Sequence, residues 1–127
     1  MLMRAVPDLH GLRILVAEDA LMIADLIAEG LQAQGCDVVG PVPRVEQGVA
    51  LAETEALDGA LLDIDLAGEP SYAIAAALIA RHVPFAFLTG YSEGALPLNY
   101  RHIPRLNKPF YLRDLLALVA GTFKKAA

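Results

Sequence analysis

Gly59-Ala60-Leu61-Leu62-Asp63-Ile64-Asp65-Leu66 is the stretch whose reading decides the fold of this chain. Its apolar run is too short for a helix and is bounded by Asp58-Gly59 in front and Ala67-Gly68-Glu69-Pro70 behind, as for a strand buried on both faces. The strand ends in carboxylates. In an open α/β sheet, ligands sit beyond the carboxyl ends of the strands, so Asp63 there belongs to a site more readily than to a core. The structural alternative is that Asp63 or Asp65 caps the next segment or makes a surface turn, positions that also favour Asp.

Working outward, Arg13-Ile14-Leu15-Val16-Ala17 reads as a first buried strand that also closes on acids, Glu18 and Asp19. Cys36-Asp37-Val38-Val39-Gly40 is a second, with Pro41 and Pro43 expected to force the chain out of the sheet. Pro84-Phe85-Ala86-Phe87-Leu88 is a fourth, ending in Thr89, and Arg105-Leu106-Asn107 a short fifth, ending in Lys108-Pro109-Phe110.

Helical patterns alternate with these strands. The first covers residues 20–34, with Ile23, Leu26, Ile27 and Leu31 on one face and Gly35 as its terminal cap. The second covers 44–55, with Val45, Val49 and Ala52 inward. The third starts at Ser71 as cap and runs to about His82, and the last covers 112–123, with Leu112, Leu115, Leu116 and Val119 inward. Arg81-His82 and Lys124-Lys125 carry the sign that helix C-termini prefer. Between Thr89 and Arg105, Gly94 and Pro97 interrupt the chain and no apolar stripe exceeds a turn, so the fourth helix is expected to be short, irregular or mobile.

This alternation predicts an α/β fold with a five-stranded, doubly wound parallel sheet. The expected organisation is an N-terminal extension over 1–12, one domain over 13–123 and a C-terminal tail over 124–127. A chain of 127 residues fits a single core of this kind. With a formal net charge of −5 and its ten basic residues scattered, it does not present a nucleic-acid surface. The single cysteine, Cys36, has neither a disulfide partner nor neighbours at metal-ligand spacing, so it reads as a small buried apolar residue in a reducing cytoplasm. Neither a signal peptide nor a stretch of about 20 apolar residues is visible, so no membrane insertion is expected.

Right-handed crossovers place every strand's carboxyl end on one edge, which gathers Glu18-Asp19, Asp63-Ile64-Asp65, Thr89 and Lys108 on one rim. Adjacent carboxylates disfavour joint ionisation, and a divalent cation relieves them. Oxygen ligands without His or Cys suit Mg²⁺ and not zinc. With Lys108 and Thr89 able to hold the remaining oxygens of a transferring group, the set fits phosphoryl transfer to Asp63.

On these residues the chain, from Arg13 to about Phe123, resembles a response-regulator receiver (CheY-like) domain of two-component signalling, a flavodoxin-like fold. The matching motifs are Glu18-Asp19 after strand one, Asp58-Gly59-Ala60-Leu61-Leu62-Asp63 as strand three, Thr89 after strand four and Lys108-Pro109-Phe110 after strand five. The resemblance implies that Asp63 accepts phosphate from the phosphohistidine of a sensor histidine kinase or phosphotransfer protein. It further implies that Asp19 and Asp63 ligate Mg²⁺, that Glu18 acts largely through water, and that Asp65 contributes its backbone carbonyl. By the same resemblance, Thr89 and Lys108 bind the phosphoryl oxygens. Such a domain is a phosphoacceptor that takes part in its own phosphorylation and dephosphorylation, not a turnover enzyme. It signals in the cytoplasm by contact with a downstream protein, in some cases as a homodimer.

Phe85-Ala86-Phe87-Leu88-Thr89-Gly90-Tyr91-Ser92 with Pro104-Arg105-Leu106-Asn107-Lys108-Pro109-Phe110 resembles a subgroup named for a Phe-Ala-Thr-Gly-Tyr type motif, whose members are often stand-alone receivers. Most receivers carry Tyr or Phe three residues before the lysine, as an aromatic switch; here that position is Arg105. Tyr91 is the nearest substitute, or it only packs the loop. Phosphorylation is expected to order the stretch from Tyr91 to Arg105.

Several residues stay open between two roles. Asp65 either offers its backbone alone or orients the water that hydrolyses the acyl phosphate. Gly90 either leaves the site open or supplies a φ > 0 turn. His10, His82 and His102 share no ligating pattern and read as surface residues, and Glu46, Glu53 and Glu55 as a solvated face. Two competing functions are a haloacid-dehalogenase-like phosphatase and a binding module independent of phosphorylation. The first family places its Asp-x-Asp on the first strand, whereas here Glu18-Asp19 come first. The second does not require Glu18, Asp19, Asp63, Thr89 and Lys108 together. A dinucleotide site is disfavoured because no Gly-rich turn follows strand one.

Overall fold

The strands are β1 (Arg13–Ala17), β2 (Asp37–Val42), β3 (Gly59–Asp63), β4 (Phe85–Thr89) and β5 (Arg105–Asn107). They form one sheet in the order β2-β1-β3-β4-β5, every pair parallel. A computed structural model provides this structure and describes residues 9–90 and 96–125. Four helices flank the sheet: α1 (Leu21–Ala33), α2 (Val45–Thr54), α3 (Tyr72–Ala80) and α4 (Leu112–Thr122). This is the five-stranded, doubly wound sheet that the alternation predicts. In the β4–β5 connection the described residues hold only a single 3-10 turn, Leu98–Tyr100, as the Gly94 and Pro97 interruptions imply.

Successive strand side chains point to opposite faces, so continuous apolar strands must be covered on both. Leu15, Ala17, Ala60, Leu62, Phe85 and Phe87 meet Val45 and Ala52 of α2 and Ile74 and Leu78 of α3 on one side. On the other, Ile14, Val16, Leu61, Ala86 and Leu88 meet Ile27 and Leu31 of α1 and Leu115 and Val119 of α4. Each fully buried Leu, Ile or Phe contributes roughly 1.5–3 kcal/mol of transfer free energy, so these layers dominate the stability of the sheet. Two glycines permit the approach. A Cβ on Gly59 would stand 2.4 Å from the Phe123 ring, and one on Gly48 would stand 2.3 Å from Ile74 where α2 meets α3.

The end of the sheet opposite the acid rim is tied by Arg13. Its guanidinium pairs with Asp37 and with Glu55 (2.8 Å) and donates to the Ala56 carbonyl. Glu55 is therefore an ion-pair partner and not simply part of a solvated face. Arg81 also does more than follow its own helix: it donates to the carbonyls of Ala52 and Glu55, both at 2.7 Å, and so satisfies the end of α2.

Other expectations are corrected. β2 continues through Pro41 to Val42, because it is an edge strand and a shift in its register opposite β1 between Leu15 and Ala17 absorbs the extra residue. Leu26 is exposed, and the buried face of α1 is Ala24, Ile27, Ala28, Gly30 and Leu31. Ser71 stands at the N-cap of α3, but its φ of −87° and ψ of 17° are not the extended geometry from which a cap reaches back. Among the described residues its buried hydroxyl has no partner. Leu9 and Leu12, expected in the N-terminal extension, are buried in the same core cluster as Cys36, Val119 and Phe123. Lys125 does not serve the helix end; it donates to the Gly11 carbonyl at 2.6 Å, tying the two ends of the domain together. Cys36 is buried as expected, and burial pushes its thiol up to about 11. Among the described residues no helix is long and apolar enough to cross a membrane.

Candidate functional site

Four of the five strands deliver polar side chains to the same rim: Glu18 and Asp19 directly follow β1, Asp63 and Thr89 are the last residues of β3 and β4, and Lys108 directly follows β5. The Glu18 N–H donates to the Val42 carbonyl (3.0 Å), which carries the β1–β2 pairing up to the first acid. Ile64 N–H donates to Leu88 (3.1 Å), fixing the chain just after Asp63, and Lys108 N–H donates to Thr89 (2.7 Å), fixing the lysine beside the end of β4. Register thus sets the site: Thr89 pairs with Asn107, immediately before Lys108.

The ammonium of Lys108 lies 3.0 Å from Asp63 Oδ2 and 2.6 Å from Glu18 Oε1. The first contact is a hydrogen bond. The second is a charge contact without hydrogen-bond alignment, so Glu18 Oε1 is buried with no directed donor among the described residues. One carboxylate oxygen from each of Glu18, Asp19 and Asp63 falls within 4.8 Å of the others, Glu18 and Asp63 buried and Asp19 exposed. Three carboxylates face one ammonium.

Burial pushes the Asp63 carboxyl up to about 7; the charge of Glu18 adds to the rise and Lys108 opposes it. For Lys108, burial pulls the ammonium down, but the attraction of Glu18 and Asp63 outweighs it and holds the group above its ordinary value. Oxygen donors, an excess of negative charge and an undirected buried carboxylate oxygen fit a hard divalent cation such as Mg²⁺.

The segment after Asp63 turns back as a two-stranded hairpin, Asp65–Leu66 against Glu69–Pro70, with Ala67 and Gly68 both at positive φ in its tip. The tip reaches across the rim, where the Ala67 N–H donates to Asp19 Oδ2 at 3.0 Å. At the hairpin's start, the Asp65 N–H donates to Asp63 Oδ1 at 3.2 Å, while the Asp65 side chain is exposed. The role of Ala67 is not visible in its side chain; the only signal is the Ala67-Gly68 pair between Leu66 and Glu69, a tight-turn position.

Glu18, Asp19, Asp63 and Lys108 are brought together as the sequence predicts, with Thr89 buried at the end of the adjacent strand. Gly90 is not at positive φ and has nothing within 4 Å of a Cβ position, so of its two readings the structure gives open space. Tyr91 lies outside the described residues, as does the start of the stretch expected to become ordered. Arg105 is exposed. His10, His82 and His102 are exposed, as expected.

No protein-family model matches the chain. The transcriptional regulatory protein PdtaR of Mycobacterium tuberculosis is 28% identical over 111 residues, covering 84% of this chain and 54% of that protein. The chain thus spans about half the length of the curated relatives it matches. The solution structure of SdrG from Sphingomonas melonis Fr1 is similar at 37% identity and a TM-score of 0.74, over 87% of this chain and 95% of that one. SdrG is also solved in a BeF3-activated conformation. A response regulator receiver domain protein (CheY-like) from Methanospirillum hungatei JF-1 superposes with a TM-score of 0.78 at 27% identity, over 87% of this chain and 92% of the other.

Proposed function

This chain belongs to the response-regulator receiver (CheY-like) domains, and we propose that it acts as a phosphoacceptor with Asp63 as the acceptor. The observation that carries this reading is the Lys108 ammonium, 3.0 Å from Asp63 Oδ2 inside a pocket of three carboxylates. In the proposed step a carboxylate oxygen of Asp63 forms a bond to the phosphorus of a phosphohistidine. The P–N bond breaks, and its electron pair leaves with the imidazole of the donor. Lys108 and Thr89 hold phosphoryl oxygens as charge spreads onto them. Return to the resting state is attack of water on phosphorus, with Asp63 leaving as carboxylate.

Glu18, Asp19, Asp63 and the Asp65 carbonyl would hold Mg²⁺. When bound, it would offset the charge of the phosphoryl oxygens and of the facing carboxylates. Asp19 is pre-oriented for this by the Ala67 N–H, which occupies one side of its carboxylate. The donor is proposed to be a sensor histidine kinase or phosphotransfer protein. Leu21 and Met22, exposed directly after Asp19-Ala20, offer such a protein an apolar contact beside the rim. The output is contact with a downstream protein. The Phe-Ala-Thr-Gly-Tyr subgroup is part of the proposal, supported by Phe87, Thr89, Gly90 and Tyr91 in the sequence.

Intact mass after incubation with acetyl phosphate and Mg²⁺ tests the reading. The native chain should gain one phosphoryl group, a chelator should prevent the gain, and Asp63→Asn should gain none. Equal labelling of Asp63→Asn would overturn the assignment, and cycling through many equivalents of an aryl phosphate would favour a phosphatase of the haloacid dehalogenase type.

A further inference from the structure

Four aromatic rings form a continuous set on the α2/α3 side of the sheet. Tyr100, in the turn between β4 and β5, stacks on Tyr72, the first residue of α3, with centroids 5.1 Å apart and planes 14° from parallel. Both meet Phe87 of β4 edge-on, Tyr100 at 6.0 Å and Tyr72 at 6.4 Å, and Phe85 meets it at 5.5 Å.

The ends of this set matter more than its middle. Phe87 lies two residues before Thr89 on the same strand. Tyr72 follows the hairpin whose backbone N–H groups hold Asp19 and Asp63. The Tyr72–Tyr100 stack therefore joins the two loops that frame the acid rim. At its outer side the same turn is anchored by buried Leu96 and Tyr100 but presents Leu98, which is 77% exposed. Arg105 is exposed and makes no hydrogen bond or ion pair among the described residues, so the ring that fills this part of the core comes from the connection and not from β5.

We propose that Tyr100 is a positioning residue that couples the acid rim to the surface turn carrying Leu98. A shift of Phe87 or of the start of α3 changes the seat of the Tyr100 ring, and the turn follows because, among the described residues, its other buried anchor is Leu96, with Ile103 only partly buried beside it. Edge-to-face and stacked rings favour a few discrete arrangements over continuous sliding, and close-packed surroundings transmit the displacement. This inference rests on the phosphoacceptor reading and adds where the state of the rim becomes visible at the surface.

The test follows backbone amide and leucine methyl NMR signals as Mg²⁺ and then BeF₃⁻, a phosphoryl mimic, are added to the native chain, Tyr100→Leu, Tyr72→Leu and Tyr100→Phe. In the native chain the amides of Asp63 and Lys108 and the methyls of Leu98 should all respond. Either Leu variant should keep the rim response while the Leu98 response falls by more than half; Tyr100→Phe, which keeps the ring, should keep both. A Leu98 response that is absent in the native chain, undiminished in the Leu variants, or lost equally in Tyr100→Phe overturns the coupling. Absence of any rim response in the native chain overturns the phosphoacceptor reading, and this inference with it. A well-dispersed amide spectrum in one Leu variant is enough to decide between these outcomes.

Discussion

Replacing Asp63 by Asn should make the metal-free protein more stable above neutral pH, although it removes the proposed acceptor. In the native fold the carboxyl titrates at about 7, against 3.8 for the free group, chiefly because it is buried. The folded state therefore holds this proton more tightly than the unfolded chain does. The associated stability is fully present below about pH 4 and is lost as pH rises through about 7. Each tenfold gain in proton affinity corresponds to about 1.4 kcal/mol, so the rise from 3.8 to about 7 sets a ceiling of about 4 kcal/mol. The rim borders solvent, and screening by water leaves about 1–3 kcal/mol as the expected difference at pH 8. Asn carries no charge and escapes this cost, and Lys108 keeps its contact with Glu18 at 2.6 Å.

The assay is urea unfolding of both chains in a chelator across pH 5 to 8.5. The gap in favour of Asp63→Asn should be smallest at the acid end and widen as pH rises towards about 7, above which it levels off. A difference of about 1–3 kcal/mol at pH 8 corresponds to a Tm gap of several degrees for a domain of this size. Saturating Mg²⁺ should then reverse the order, because a ligand that binds only the folded state adds RT ln(1 + [L]/Kd), and the native site binds better than the Asn site. A gap that does not change with pH, or an Asn variant no more stable than the native chain at pH 8, would refute the burial argument.

Lys108→Met should slow labelling by acetyl phosphate about 10- to 100-fold, since a charge-assisted hydrogen bond is worth about 1.5–3 kcal/mol, read from initial rates by intact mass. A rate close to that of the native chain would remove Lys108 from the step. Gly59→Ala should cost about 1–3 kcal/mol by urea unfolding, because its methyl group collides with the Phe123 ring. In a Phe123→Leu background the cost should fall, and an equal cost in both would show that the contact is not the cause. Cys36, buried with its thiol pushed up to about 11, should resist an aromatic disulfide reagent at pH 8 until denaturant is added. Prompt reaction in the native state would contradict its burial.

The strands were legible because a sheet covered on both faces leaves uninterrupted apolar runs, and Leu61-Leu62 and Phe85-Ala86-Phe87-Leu88 are such runs. The rim residues were legible for a topological reason: once every strand is parallel, whatever follows each strand must meet at one edge. Single helix faces were less secure. Leu26 falls on the apolar stripe of α1 by period, yet it is exposed in the middle of the helix, while Ala24 and Ala28 are buried. Ser71 has the composition of a cap without the backbone angles of one. Leu9 and Leu12 fall in the expected N-terminal extension, and a cluster with residues distant in sequence, among them Cys36, Val119 and Phe123, makes them core.

The amino-acid sequence by itself determined the class of the fold and which polar side chains could share a site, since both depend on local period and on the order of residues along the strands. Only the tertiary structure decided how those groups act on one another. The Lys108 ammonium between Glu18 and Asp63, the upward push on the Asp63 carboxyl, the Ala67 N–H on Asp19 and the stack of Tyr100 on Tyr72 all join segments distant in sequence. Their strength depends on burial and on separations of a few ångströms, quantities that exist only after the chain has folded.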